Sequence, residues 1–211
     1  MSRADAYHEF RERLLSGELA PGQFVTQKEL ATLAGVPVGT AREAIQRLEH
    51  ESLLKVHPQR GIQVIDLTTN FIRNSFGLRA ALELQAVDKF ASGEFAAEVD
   101  ALIDSTRTVL EEAQRTTDPE VLKRAVDVDW DMHDKLIECL DNALISETYQ
   151  INNTRLRLIK VSNRLSPDRV HSALKEHLDV LNHCKACDAI GARKSLAHHI
   201  ETALSRALQG K

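Results

Sequence analysis

The segment from residue 26 to residue 64 constrains the fold of this chain most, because it carries several helix start and stop signals in close succession. Thr26 and Glu29 have the T-x-x-E spacing of a capping box, which predicts that a helix begins there. Leu30 and Leu33 give that helix an apolar side, and Gly35 can end it in a left-handed turn. We therefore expect a short helix that ends in a tight turn.

A second helix is predicted directly after this turn. Its apolar residues recur at helical spacing, at Ala41, Ala44, Ile45 and Leu48. Arg42 and Gln46 fall on the opposite side, so the face expected to be buried and the face expected to be exposed separate cleanly. The exposed face is polar and carries long side chains.

Two short apolar segments follow the second helix. In each of them, residues 54–56 and 62–64, apolar and polar residues alternate, and the stretch between them contains Pro58 and Gly61. This pattern predicts two strands joined by a hairpin. A helix, a turn, a helix and a hairpin in this order form a winged helix-turn-helix, whose second helix can enter a major groove of DNA.

The run ELATLAGVPVGTAREAIQRLEHESLLKVHPQRGIQV resembles the N-terminal domain of GntR-type bacterial transcriptional regulators. The resemblance implies that double-stranded operator DNA is the partner. It makes Arg42 the recognition-helix arginine, Lys28 a cation of the preceding helix, and Arg60 with Gly61 the tip of the wing. We add two polar residues of the second helix as candidate DNA contacts, Thr40 and Gln46.

The chain departs from the GntR pattern at the start of the second helix. The family usually has Ser or Thr followed by Arg after the Gly-Val turn, whereas this chain has Pro37 and Val38. The usual helix cap is therefore missing, and we expect the helix to start at Thr40, with Glu43 completing a second capping box. One expected guanidinium is also missing, so the base sequence that is read is left open.

Composition fits a globular protein of one or two domains: the chain has 211 residues, 43% of them hydrophobic and 27% charged. No apolar run approaches the roughly 18 to 20 residues of a membrane-spanning helix, and the first residues are not a signal peptide, so we expect a cytoplasmic protein. The formal net charge is −4, and residues 1–65 contain as many acidic as basic side chains. DNA affinity should therefore depend on where the few cations lie, and strongly on salt.

The three cysteines, Cys139, Cys184 and Cys187, are predicted to be reduced thiols, because the chain shows no secretion signal. Cys184 and Cys187 have the C-x-x-C spacing of redox and zinc sites. The pair lies inside a helical pattern, and we favour no such role for it.

Residues 4–16 predict a helix that completes the winged domain, with Tyr7, Phe10 and Leu14 on one stripe.

The rest of the chain predicts a second domain that is all helical. No strand pattern returns after the polar residues 66–70, so we place the domains at residues 1–66 and 71–211. The second should hold six helices of roughly 20 residues each, separated at Gly93, residues 116–119, Asp141–Asn142, Ser166–Pro167 and residues 188–191.

Four residues of the second domain have a spacing compatible with a metal site. Asp129 and His133 are four apart, on one helical face. His177 and His199 would be about 33 Å apart on one continuous helix and could not share an ion. Asp188, midway between them, can cap a new helix after a turn, which would fold the two imidazoles back to the same depth. Three nitrogens and a carboxylate oxygen suit a divalent transition metal such as zinc, nickel or manganese.

The same pattern resembles the metal site of the effector domain, called FCD, found in the FadR subgroup of GntR regulators. The four matching residues are Asp129, His133, His177 and His199, and the segment FGLRAALELQAVDKFA resembles the first helix of that domain. The resemblance implies a homodimer on a two-fold symmetric operator. A small carboxylate effector, held partly by the metal and partly by a cation such as Arg79, would weaken DNA binding.

Other interpretations of these residues stay open. Arg79 and Glu83, one turn apart, could instead form a surface ion pair. His133 and Asp134 form an HD dipeptide, as in helical metal-dependent phosphohydrolases, but Asp134 faces roughly 100° away from His133 and we expect no enzyme. The metal could also be purely structural. His198 faces roughly 100° away from His199 and serves as a control residue.

Overall fold

The computed structural model describes residues 3–162 and 167–209. Its elements, in chain order, are α1 (Arg3–Leu15), β1 (Phe24–Val25), α2 (Gln27–Leu33), α3 (Val38–His50), β2 (Leu54–His57), β3 (Gly61–Val64), α4 (Thr69–Phe90), α5 (Ala96–Arg115), α6 (Pro119–Glu138), α7 (Ala143–Ser162), α8 (Pro167–Lys185) and α9 (Ala189–Gln209). The predicted class, mainly α with a small β-hairpin wing, is confirmed. Ser166, at one predicted break, lies outside the described residues.

The wing is a three-stranded antiparallel sheet in the order β1-β3-β2. Strands β2 and β3 are the predicted hairpin, with Val56 opposite Ile62. Strand β1 was not predicted, because two residues are too short to show an alternating pattern. It pairs with the side of β3 opposite to β2, where Phe24 lies opposite Gln63.

The predicted start and end of α2 are confirmed. Thr26 Oγ1 accepts a hydrogen bond of 3.1 Å from the Glu29 backbone N–H, and the Thr26 backbone N–H donates to Glu29 Oε2 at 2.6 Å. These two bonds form the capping box, which satisfies two backbone donors that a helix start would otherwise leave unpaired. Gly35 has φ +61°, the left-handed conformation expected of a residue that ends a helix.

The predicted start of α3 at Thr40 is wrong. The helix begins at Val38, with Pro37 at the N-cap, so Thr40 lies inside the first turn. The Pro37 carbonyl accepts the first helical hydrogen bond, from the Ala41 backbone N–H at 3.1 Å. Pro37 has φ −59°, the value that its ring imposes and a helix start accepts, so the helix does not need to wait for the threonine. Within the described residues, Pro37 makes no side-chain capping bond.

The structure divides into two compact units, and two helices, α4 and α7, contribute residues to both. The first unit runs to Ile72 and takes in the second half of α7 from Asn153; the other runs from Arg73 to Asn152 and includes the described parts of α8 and α9. In the first unit, the core contains the predicted α1 stripe together with Leu158 of α7. The proposed boundary between residues 66 and 71 stays a prediction.

A polar cluster fixes the end of α3 inside the first unit. Glu51, the C-cap of α3, is buried and accepts a 2.7 Å hydrogen bond from Tyr7 Oη. Its other carboxylate oxygen accepts from Arg47 Nε at 3.1 Å. The guanidinium of Arg155, on α7, donates twice to the Glu51 carbonyl, at 2.7 and 3.0 Å. These bonds tie the C-terminal end of α3 to α1 and α7.

The second unit contains most of α4, the first half of α7, and helices α5, α6, α8 and α9. Helices α4 to α9 are 19 to 22 residues long, which matches the prediction for the described part of the chain. Gly93 has φ +92° at the break after α4. The carboxylate of Asp188 accepts from the Gly191 backbone N–H at 2.9 Å, so Asp188 starts α9 as predicted. Across the described residues we find no helix long and apolar enough to span a membrane.

Candidate metal centre and nucleic-acid interface

Three buried histidines from three different helices meet inside the second unit. His133 lies on α6, His177 on α8 and His199 on α9, and each side chain is almost completely removed from solvent. One ring nitrogen of each histidine lies within 4.8 Å of one ring nitrogen of each of the other two. The turn at Asp188 places His177 Nε2 3.3 Å from His199 Nε2, as predicted from the rise of the helices and a turn at this residue.

Asp129 lies at the edge of the same cluster. It is one turn before His133 on α6, and its Oδ1 lies 3.7 Å from His177 Nε2. The structure therefore brings together the three histidines that the spacing selected and places Asp129 beside one of them, His177. His198 is exposed and lies on another face of α9, as expected of the control residue. The assignment of the four as metal ligands stays a prediction.

Two carboxylates contact the imidazoles at the ring nitrogen Nδ1. His133 Nδ1 lies 2.9 Å from Glu83 Oε2, and His199 Nδ1 lies 2.8 Å from Glu176 Oε2. A carboxylate that accepts from Nδ1–H leaves the lone pair on Nε2, the nitrogen that faces the cluster. Sequence reasoning gave neither carboxylate this role, since a supporting residue from another helix has no spacing signature.

Arg79 is not part of a surface ion pair, so that interpretation was wrong. Its guanidinium is buried, its Nε donates to Glu83 Oε1 at 3.0 Å, and Glu83 is fully buried too. Arg79 Nη2 lies 2.5 Å from His133 Nε2 and 3.5 Å from His199 Nε2. The i, i+4 spacing of Arg79 and Glu83 was read correctly, but burial depends on the helices packed around α4.

Burial and neighbouring charges set the protonation of this cluster. Burial and the charge of Arg79 hold the pKa of His133 well below its usual value, so this imidazole is neutral. Burial raises the pKa of Glu83, while Arg79 and the hydroxyl of Tyr149, which donates to Glu83 Oε1 at 3.0 Å, act in the opposite direction. Burial and Glu83 raise the pKa of Tyr149 well above its usual value.

The donor set fits a divalent transition metal. Neutral imidazoles are the form that binds such ions, and a carboxylate behind a ligating histidine is the usual supporting arrangement. Three nitrogens with one nearby carboxylate oxygen match the ligand preferences of zinc, nickel and manganese. The cluster can therefore hold a cation in a buried site.

The cysteine pair does not form a comparable site. Cys184 is buried and Cys187 is exposed, and both are free thiols, as is Cys139. Burial raises the pKa of Cys184 to about 12, so this thiol stays protonated and unreactive near neutral pH.

The candidate DNA contacts lie in the first unit, on the surface expected to face DNA. Arg42 and Gln46 are exposed on α3, Lys28 is exposed on α2, and Arg60 is exposed at the tip of the wing. Thr40 and Gly61 are half-buried. Gly61 has φ +102°, and a Cβ there would meet the Val25 carbonyl oxygen at 3.0 Å, so the wing requires a glycine at this position.

A groove of about 420 Å³ separates α3 from the wing. Arg42, Gln46 and Glu49 line it from α3, and His57 and Gly61 line it from the hairpin. Lys28, Thr40 and Arg60 do not line this groove. Exposed polar side chains on α3 with a neighbouring wing are the arrangement in which a winged helix-turn-helix reads a major groove.

Two known families match the chain, one in its N-terminal part and one in its C-terminal part. Residues 3–64 match the family described as bacterial regulatory proteins, gntR family, and residues 75–202 match the FCD domain. The chain belongs to the GntR family and carries an FCD domain. GntR regulators bind DNA, so this GntR/FCD protein is a DNA-binding transcriptional regulator and not an enzyme.

Individual proteins resemble the chain over nearly its whole length. It is 21% identical over 198 residues to the HTH-type transcriptional regulator YdhC of Bacillus subtilis, covering 92% of this chain and 85% of the relative. A GntR transcriptional regulator from Rhodococcus sp. RHA1 has the same fold, with a TM-score of 0.78, 19% identity, and coverage of 98% and 97%. The Zn²⁺-bound FCD domain of TM0439 matches with a TM-score of 0.52 and 22% identity, over 68% of this chain and 95% of that domain.

Proposed function

We propose that this GntR/FCD regulator binds a divalent transition metal in its helical unit and that a small organic acid at this site weakens its binding to operator DNA. The metal, zinc, nickel or manganese, is held by Asp129, His133, His177 and His199. The protein acts as a homodimer in the cytoplasm. The observation that carries the proposal is the meeting of three buried imidazoles from α6, α8 and α9.

The arrangement of the imidazoles supports a metal. One ring nitrogen of each histidine lies within 4.8 Å of one ring nitrogen of each of the others, so a single cation can bind all three. The carboxylates of Glu83 and Glu176 add the negative charge that a divalent cation favours. The Zn²⁺-bound FCD domain of TM0439 shows that a domain of this fold can hold zinc.

Arg79 supports the choice of a carboxylate as the effector. The guanidinium is buried, so its cost of desolvation must be offset by an acid, and Glu83 supplies one. Its Nη2 lies 3.0 Å from His133 Nδ1 and 3.5 Å from His199 Nε2. A planar guanidinium with donors directed at a metal site suits a carboxylate. When bound, the metal would supply a Lewis-acidic position for an oxygen of the acid.

Regulation requires more than binding of the acid. An effector changes DNA affinity only if it binds one arrangement of the dimer better than the other, and the effect on DNA equals the difference between those two affinities. Coupling of this kind is typically 5- to 150-fold in affinity, roughly 1 to 3 kcal/mol.

The test uses the full-length, metal-loaded protein and a DNA duplex that the protein itself selects from a random-sequence pool. A panel of small mono-, di- and hydroxycarboxylates is titrated while DNA affinity is measured. We expect at least one acid to weaken DNA affinity about fivefold or more. Arg79→Gln should abolish this response and keep the metal, whereas Arg73→Gln, at an exposed position on the same helix, should retain it.

Two outcomes would contradict the proposal. If no acid changes the DNA affinity of the metal-loaded protein, the coupling fails. If the metal resists removal, and its loss unfolds the helical unit without any sensitivity to acids, the metal is structural.

A further inference from the structure

The helix that faces DNA begins with an exposed apolar side chain. Val38 is the first residue of α3 and is 50% exposed. It lies four residues before Arg42 and eight before Gln46, and all three side chains are exposed. Residues at i, i+4 and i+8 follow one face of a helix, so Val38 lies on the same face as Arg42 and Gln46.

The structure holds Val38 in a defined position. Gln27 Nε2 donates a 3.0 Å hydrogen bond to the Val38 carbonyl, which ties the first turn of α3 to α2. Gly39 follows directly, and a Cβ built there would have nothing described within 4 Å, so the helix surface at Gly39 is open. A β-branched side chain in a helix strongly prefers one χ1 rotamer. Val38 therefore presents its two methyl groups in one direction.

The position of Val38 suits contact with a base. In a helix-turn-helix, the N-terminal residues of the recognition helix contact base edges in the major groove. Val38, Arg42 and Gln46 are spaced roughly 6 Å apart along the axis, and bases follow each other at about 3.4 Å. The three side chains thus cover a stretch of about three to four base pairs.

We propose that Val38 reads the C5 methyl group of a thymine in the operator. Valine has no donor or acceptor for hydrogen bonds, and thymine is the base that presents a methyl group in the major groove. The inference rests on DNA binding by α3 and is independent of the metal and of the acid. Scattered single apolar residues also occur on protein surfaces without a role, and the experiment below distinguishes the two cases.

The experiment removes one methyl group at a time from the DNA. The full-length protein selects a duplex from a random-sequence pool, and each thymine of that duplex is then replaced by deoxyuridine, which lacks only the C5 methyl. We expect one thymine in each half-site at which this change weakens binding roughly three- to tenfold, the size expected for one buried methyl. At that position, Val38→Ala should bind the thymine and deoxyuridine duplexes equally.

Two further variants complete the test. Leu33→Ala removes another exposed apolar side chain of the same motif, on α2, and should leave the deoxyuridine profile unchanged. Val38→Thr keeps one methyl and the branched shape, and should retain part of the discrimination. The inference is overturned if no thymine is sensitive to loss of its methyl, if Val38→Ala shows the same penalty as the unmodified protein, or if no duplex is selected.

Discussion

His199 Nδ1 lies 2.8 Å from Glu176 Oε2, and the other oxygen of the same carboxylate accepts from Arg206 Nη2 at 3.2 Å. Glu176 precedes His177 on α8, while His199 and Arg206 lie on α9. The carboxylate therefore connects the two helices that contribute histidines to the cluster. It orients the His199 ring and is itself held in place by a guanidinium.

From this relationship we expect Glu176→Ala to weaken metal binding about 10- to 100-fold, even though Glu176 is not a proposed ligand. Loss of the acceptor frees the ring of His199 and lowers the basicity of its Nε2. Metal affinity, measured by competition with a chelator, checks the effect. Asp179→Ala, at an exposed position on the same helix, should leave the affinity unchanged. Equal affinities in the two variants would contradict the supporting role.

A second prediction compares two adjacent histidines. His199→Ala should lose the bound metal, because it removes one of three imidazoles that share the cluster. His198→Ala removes the same atoms from an exposed position one residue earlier and should keep one metal per chain. Elemental analysis of protein after dialysis measures the metal content. Retention of the metal in His199→Ala, or its loss in both variants, would argue against the assignment.

The third prediction distinguishes the proposed metal site, which uses Asp129, from the HD interpretation, which uses Asp134. Asp129→Asn should weaken metal binding at least tenfold, because the Asp129 carboxylate lies 3.7 Å from His177 Nε2. Asp134→Asn changes the other carboxylate next to His133 and should have little effect, since it faces away from the cluster by roughly 100° along the helix. The reverse ranking of the two affinities would favour the HD arrangement.

A fourth prediction concerns alkaline pH and the polar cluster at the end of α3. Burial and the hydrogen bond to Glu51 raise the pKa of Tyr7 from 10.0 to about 12. Between these values the unfolded chain loses a proton that the folded chain keeps. The stability contributed by neutral Tyr7 is therefore complete below pH 10 and is lost as the pH rises to about 12.

The chain contains two tyrosines, so Tyr149→Phe leaves Tyr7 as the single one to be followed by tyrosinate absorbance. We expect Tyr7 to ionise near pH 12 and the free energy of unfolding to fall between pH 10 and 12. Glu51→Gln removes the negative charge that accepts the hydrogen bond and should move the titration of Tyr7 towards its ordinary value. Ionisation of Tyr7 at pH 10 in the folded protein would contradict the prediction.

Local signals predicted most of the helices and the wing because each depends on residues close in sequence. The capping box of Thr26 and Glu29 formed as its spacing indicated, and Gly35 took the left-handed conformation. The error in the predicted start of α3 also came from a local signal. Thr40 and Glu43 have the spacing of a capping box, but Pro37 is already compatible with a helix start, so the helix begins before the threonine is reached.

Part of the metal cluster could also be predicted from the sequence, because helix geometry relates the positions of its residues. Helix rise and one turn at Asp188 suffice to place His177 beside His199, and helix periodicity places Asp129 on the face of His133. No local rule says that α6 packs against the other two helices. That step came from the resemblance to the FCD domain, and in the structure it depends on apolar contacts among α5, α6 and α8.

The amino-acid order by itself determined the helices, the wing, the turn at Asp188 and the candidate residues on each helical face, because propensity, capping and periodicity act over a few residues. Only the tertiary structure decided that Arg79 and Glu83 are buried, that Glu83 and Glu176 support the imidazoles, and that Glu51 joins α3 to α1 and α7. The contacts of Glu83 with His133, of Glu176 with His199, and of Glu51 with Tyr7 and Arg155 join residues more than 20 positions apart. Whether a polar side chain is buried or exposed depends on which helices pack around it, and the packing is a property of the whole fold.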